Sequence, residues 1–333
     1  MRVDERDGGV RLLTLDRPPA NALDEELLAD LDRVLAAAAD DASVRAVVLT
    51  GAGPFFCAGF DLSSPRRDEV AARRLRDLYR TTHVRLLTLP KPTVAMVAGH
   101  AIAGGLVLAL ACDYRLALDG DYRIGLNEVA IGASYPKVAF EIVRLRLAHA
   151  RASELLLGAA LYPASQAIRL GIADELLPAD RLEETVLRRA ARLGAFPREA
   201  YAHTKATLVA EAVERVERET EDEAARAAAV WTAPESRAAG GAAGEARPRE
   251  IAPSRSRERW LGGERSVAPS SRVRTEHHFP LADPLASEPV GFERTDDIRG
   301  CTAPLLLGTL TPRGRLKVCP AQHAMDLIRL ILF

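Results

Sequence analysis

Apolar and polar residues alternate through "GGVRLLTLDRP", and the stretch ends in Asp-Arg-Pro, which predicts a strand running into a loop. "LDEELLADLDRVLAAAAD" then switches to apolar residues three and four apart, with acids at its start, and predicts a helix. "VRAVVLTGAG" is a short continuous apolar run, the pattern of a strand buried on both faces. The same succession recurs in helix "EVAARRLRDLYRTTHVRLLTL", strand "KPTVAMVAG", helix "GGLVLALAC" and strand "YRLAL". Repeated β-then-α units imply an α/β fold with parallel strands. From about Arg151 to Trp231 the pattern predicts helices alone, broken at Gly158, Gly171, Pro178 and Pro197.

After Ala239 the periodicity stops. "GGAAGEARPREIAPSRSRERWLGGERSVAPSSRVR" is rich in Gly, Pro, Ser and Arg, a composition that buries too little apolar surface to offset the entropy of ordering. The apolar pieces beyond it, "CTAPLLLGTL" and "HAMDLIRLILF", are short and isolated. The expected organisation is therefore one domain over residues 1–239, with a core to about 185 and a helical region over 186–239, followed by a low-order tail over 240–333.

Composition narrows the chemistry. Over 333 residues the formal net charge is −1, and the basic residues form no stripe, so neither nucleic acid nor an acidic membrane surface is an expected partner. Cys57, Cys112, Cys301 and Cys319 make no CxxC pair, as for reduced thiols in a cytoplasm, and no apolar run reaches membrane-spanning length. His100 lacks companions at metal-ligand spacing, and no metal or separate cofactor is expected. "TGAGPF" is not a dinucleotide fingerprint, because Phe56 occupies the sixth position and no Lys-Ser or Lys-Thr pair follows.

Two stretches invite chemistry. "FFCAGFDL" follows directly on a buried strand and offers small residues that let another backbone or a ligand approach. In "GHAIAGGLVLALACDYR", Gly104 and Gly105 open an apolar helix whose first N–H groups have no intrahelical acceptor. Such glycines serve tight helix packing about as often as they serve an anionic oxygen, and alone neither reading prevails. Glu128 of "IGLNEVAIG" lies downstream, beside an apolar run.

Taken together, "LDRPPANAL", "FFCAGFDL" and "GHAIAGGLVLALACDYR" resemble, in content and in order, the crotonase or enoyl-CoA hydratase/isomerase superfamily, from about residue 3 to Ala239. The resemblance implies a crotonase (ClpP-like) α/β spiral of ββα units with a helical C-terminal region, assembled as a homotrimer or a dimer of trimers. It implies an acyl-CoA thioester as substrate, with coenzyme A as part of that substrate. Phe60 and Gly104 would supply the two N–H groups of an oxyanion hole, and Glu128 would be the catalytic acid/base. Ala20, Ala58, Gly59, Asp61, Leu62 and Gly105 fall in the segments that line the substrate. Arg66 and Arg67 suit the coenzyme's phosphates or a solvated charge pair, while Ser63 stands where relatives often carry a Lys. Asp61 and Asp113 also read as turn braces.

One departure shapes the expected reaction. Two-glutamate hydratases carry a second acid on the helix after the glycines, and the aligned position here is Val107. A single remaining acid suits the Δ3,Δ2-enoyl-CoA isomerase reaction. A hydratase, hydrolase or decarboxylase on the same scaffold, and a weakly active acyl-CoA-binding homologue, are the alternatives.

Overall fold

The computed structural model describes residues 1–61 and 69–232. Two sheets organise them. The larger contains β1 (Arg2–Arg6), β2 (Val10–Leu15), β3 (Ala46–Gly51), β5 (Thr93–Val97), β7 (Tyr114–Leu118) and β10 (Glu175–Leu177), side by side in that order. β1 and β2 are antiparallel and all later neighbours are parallel. The smaller sheet runs β4 (Phe55–Cys57), β6 (His100–Ile102), β8 (Arg123–Gly125), β9 (Leu161–Pro163), parallel except for the last pair.

The helices are α1 (Glu25–Asp40), α2 (Glu69–Thr88), α3 (Gly104–Ala111), α4 (Lys137–Arg146), α5 (His149–Gly158), α6 (Ala167–Leu170), α7 (Ala179–Gly194), α8 (Arg198–Glu217) and α9 (Glu221–Thr232). The chain thus repeats a strand in the large sheet, a strand in the small sheet and a helix: β3-β4-α2, β5-β6-α3, β7-β8-α4. This is the expected spiral of ββα turns.

Local chemistry explains the elements. The Asp24 carboxylate accepts from the Leu27 amide at 2.8 Å and caps α1, whose first turn adds Glu25 and Glu26. Leu27, Leu28, Leu31, Val34 and Leu35 form its buried face. In the large sheet, β3 and β5 are buried on both sides, which is why they read as continuous apolar runs. One face, with Leu13, Leu15, Val47, Leu49, Ala95 and Val97, meets α1 and α3. The other, with Val10, Leu12, Val48, Val94 and Leu116, meets Leu182, Val186, Ala190 and Leu193 of α7.

The stretch from Arg151 to Trp231, expected as helices alone, contains β9 and β10. Each strand is three residues long, too short to show a period, and each exists because a sheet edge accepts it: β9 pairs with β8 and β10 with β7. The boundary expected near 185 falls inside α7, which is part of the sheet's own cover. The tail over 240–333, with Cys301 and Cys319, lies outside the described residues. Cys57 and Cys112 are buried free thiols. Among the described residues, no helix is long and apolar enough to cross a membrane and no cluster of His, Cys, Asp or Glu is arranged to hold a metal.

Candidate active site

The site lies where β4, β6 and β8 of the small sheet end together. After β4 the chain passes through Gly59, in the left-handed region at φ 82°, and reaches Phe60. Two backbone hydrogen bonds pin this corner: the Leu23 amide donates to the Gly59 carbonyl at 2.7 Å and the Asp61 amide to the Leu23 carbonyl at 3.0 Å. The Ala58 amide donates to the Ala20 carbonyl at 3.1 Å. Ala20 therefore holds the segment through its main chain.

After β6 the chain turns at Ala103, whose φ of 53° and ψ of −131° are costly for a residue with a Cβ. The Ala103 amide is tied to the Gly125 carbonyl at 2.9 Å, and the Ala103 carbonyl takes the amides of Leu106 and Val107. α3 thus starts with Gly104 at its mouth. Gly105 is required by space, and Gly104 sits in tight quarters. A Cβ on Gly105 would lie 2.1 Å from the Cys57 carbonyl oxygen, and one on Gly104 would lie 3.2 Å from Cε2 and 3.3 Å from Oη of Tyr79. A Cβ on Gly59 would come within 3.0 Å of the Gly104 nitrogen, so the two corners are in contact. The amides of Phe60 and Gly104 donate to no acceptor among the described residues.

Glu128 opens a 3-10 turn over Val129–Ile131, and its carbonyl takes the amides of Ile131 and Ala133 at 3.1 and 2.8 Å. Its side chain is buried, with Oε2 lacking a hydrogen-bond partner. Burial pushes its carboxyl up to about 7, opposed by hydrogen bonding from its own amide, the Tyr135 hydroxyl and the Asn127 amide. The Tyr135 hydroxyl also faces the Leu156 carbonyl, at 3.1 Å. It has one proton for two acceptors.

Phe60, Gly104 and Glu128 line one cleft of about 480 Å³, together with Ala58, Ile102, Ala103, Asn127, Ile131, Tyr79 and Trp231. Glu128 is its one carboxylate among the described residues. Val107 is wholly buried within α3. Gly59 and Gly105 stand behind the cleft as close-approach positions. Asp61 is braced by Arg17 at 2.7 Å, and the same guanidinium pairs with Asp24 at 2.8 Å. Leu62, Ser63, Arg66 and Arg67 lie outside the described residues. His100 and Asp113 lie apart from the cleft lining. His100 accepts the Arg123 amide at Nδ1, 3.0 Å away, and lies against Phe55. Asp113 holds Lys205 at 2.9 Å and the Tyr201 hydroxyl at 3.0 Å, tying α8 to β7.

Sequence reasoning did not find Tyr79, Trp231 or Tyr135. Tyr79 has the spacing of a core residue on α2, between Leu75 and His83. Trp231 closes the cleft from α9, its ring edge-on to Phe60 with 5.8 Å between centroids. Only "SYPK", seven residues beyond Glu128, offered a signal for Tyr135, as a phenol in a short loop after an acid.

An α/β spiral with this cleft at the strand ends has the architecture of the crotonase enzymes. The chain belongs to the enoyl-CoA hydratase/isomerase family, whose model matches residues 5–243. It is 33% identical over 210 residues to a probable enoyl-CoA hydratase of Mycobacterium avium, covering 60% of this chain and 78% of that one. It is 32% identical over 207 residues to human mitochondrial enoyl-CoA delta isomerase 1, covering 60% and 67%. The crystal structure of human mitochondrial delta3-delta2-enoyl-CoA isomerase superimposes with a TM-score of 0.70 at 28% identity, covering 74% of this chain and 97% of that one. Relatives thus carry both reaction names.

Proposed function

We propose that the protein is a Δ3,Δ2-enoyl-CoA isomerase in which Glu128 is the sole proton shuttle. The observation that carries this reading is the cleft's single carboxylate among the described residues, with Val107 where two-glutamate hydratases carry an acid. The amides of Phe60 and Gly104, which have no acceptor among the described residues, would hold the thioester oxygen of a 3-enoyl-CoA. Glu128 takes a proton from C2. The electron pair of that C–H bond flows to the thioester oxygen, giving a dienolate. The same carboxyl then returns its proton to C4, the C3–C4 double bond becomes C2–C3, and no atom is gained or lost.

A carboxyl raised to about 7 suits both halves of this cycle, since it accepts and surrenders a proton near neutral pH. The buried Oε2 has no competing donor among the described residues. Coenzyme A enters as part of the substrate. Ala58, next to the Phe60 corner, lines the side on which the thioester would lie.

The test is product identity. The purified protein is incubated with 3-enoyl-CoA and 2-enoyl-CoA thioesters of several lengths, and products are followed by mass and by conjugated-thioester absorbance. Conversion of the 3-enoyl to the 2-enoyl form at unchanged mass is expected. Addition of water to the 2-enoyl substrate as the main reaction would establish a hydratase instead, and binding without turnover a non-catalytic homologue.

A further inference from the structure

Tyr79 is a buried phenol in contact with both corners of the cleft. Its residue exposure is 1%, its ring lies tilted against the Phe60 ring at 4.7 Å between centroids, and its other neighbour is the His83 ring at 3.8 Å. Its Cε2 and Oη occupy the space that a Gly104 side chain would need. Other largely buried phenols in this molecule are satisfied: the Tyr122 hydroxyl donates to the Val97 carbonyl at 3.3 Å, and that of Tyr201 to Asp113 at 3.0 Å. The Tyr79 hydroxyl has no hydrogen-bond partner among the described residues, and the residue lines the cleft. Tyr79 Oη is not among the sealed, unpartnered atoms that include Glu128 Oε2, so this hydroxyl opens onto the cleft, where an acceptor that arrives with the substrate can meet it.

We propose that Tyr79 is a further catalytic residue, its hydroxyl donating to the thioester oxygen beside the Phe60 and Gly104 amides as that oxygen takes up charge. The inference rests on the enolate chemistry proposed above. Its geometric basis is that Tyr79 packs against Phe60 and Gly104, whose amides donate to no acceptor among the described residues. Burial first, and then the charges of Glu128 and Cys57, hold the phenol well above its ordinary titration range. It is therefore a donor throughout, and proton abstraction stays with Glu128.

The experiment uses full-length protein and the variant Tyr79→Phe, which deletes one oxygen and keeps the ring packing. Acetoacetyl-CoA is the enolate probe, because it ionises at C2 without help from the enzyme and its enolate absorbs in the ultraviolet. Butyryl-CoA, which does not enolise under these conditions, is the control. Tyr79→Phe is expected to weaken binding of the acetoacetyl-CoA enolate and to lower kcat by about 10- to 100-fold. It should leave butyryl-CoA affinity within about twofold and the melting temperature unchanged or higher. Unaltered enolate affinity would overturn the proposal. So would loss of folding, since a hydroxyl with no protein partner cannot be what holds the fold. Because the probe ionises by itself, this result stands apart from whether Glu128 shuttles protons: an active Glu128→Gln enzyme would refute the isomerase mechanism while leaving the difference in enolate binding intact.

Discussion

The indole N–H of Trp231 donates to the Ser134 carbonyl at 2.9 Å, fastening α9 to the loop that follows Glu128. The Ser134 hydroxyl answers by donating to the Ala227 carbonyl at 2.9 Å, so helix and loop are joined by two reciprocal bonds. Apart from this clasp, α9 keeps most of its surface in solvent, with an exposed ion pair between Glu221 and Arg73. Trp231→Ala removes the indole bond and the edge contact with Phe60, about 1–2 kcal/mol of local attachment. KM for enoyl-CoA should rise several-fold while the melting temperature of the main body stays within a few degrees. Equal KM values in variant and parent would show that α9 does not close the cleft.

Glu128→Gln should reduce kcat by about 100- to 10,000-fold with little change in CoA-ester affinity, because it removes the proposed base and preserves the shape. The same variant has a signature in stability. In the folded chain the carboxyl holds its proton up to about pH 7, against 4.5 as its ordinary value, so the folded state binds more protons between those limits. Stability contributed by the protonated carboxyl is complete below about pH 4.5 and is lost as pH rises through 7, on the order of 3 kcal/mol in all. Glu128→Gln should therefore melt higher than the parent at pH 8, and the gap should close by pH 4. Parallel melting curves across that range would mean that the carboxyl is not held in its neutral form.

Tyr135→Phe removes a donor that favours the ionised carboxylate. The acidic limb of the kcat/KM profile should move to higher pH by about one unit, with the plateau rate little changed. A fixed limb with a lowered plateau would assign Tyr135 to the Leu156 contact alone.

Val107→Glu restores an acid on α3. If the missing carboxylate is what bars hydration, the variant should add water to 2-enoyl-CoA at a measurable rate, at a cost of several kcal/mol in stability for a buried carboxyl. Product mass reads the first effect and chemical denaturation the second. A folded variant that binds 2-enoyl-CoA and adds no water would show that the second acid is not the missing element.

Gly105→Ala places a methyl 2.1 Å from the Cys57 carbonyl oxygen and 2.6 Å from its carbonyl carbon, and should cost about 3 kcal/mol by denaturant midpoint. Gly53→Ala is the control. At φ 72° with nothing within 4 Å, it should cost only the left-handed backbone penalty, about 1–2 kcal/mol.

These contrasts show what kind of information the sequence carries. α1 was legible because sixteen residues repeat one apolar face behind an Asp cap. β3 and β5 were legible because burial on both sides leaves unbroken apolar runs. β4, β6, β8, β9 and β10, at three residues each, have no period of their own and exist only as neighbours in a sheet. In the candidate site, Gly104 and Glu128 stood out through motif and order, whereas Tyr79 carries the same helical spacing as its core neighbours Leu75 and Leu86. Trp231 was hidden differently: its approach to Phe60 is a product of the whole spiral, and nothing local in "AAVWT" announces it.

Consider finally that the candidate donors at Phe60 and Gly104 are main chain, on corners tied through the Leu23 and Gly125 backbones. Apart from proline, no substitution at either position deletes its N–H. The groups arrayed around them, Glu128, Val107, Tyr79 and Trp231, are each one codon from a different chemistry. On the proposed reading, the receptor for the thioester oxygen is inherited as topology and the handling of protons as spelling. On that reading, single substitutions around the cleft would change the reaction while leaving the main-chain grip on the substrate in place.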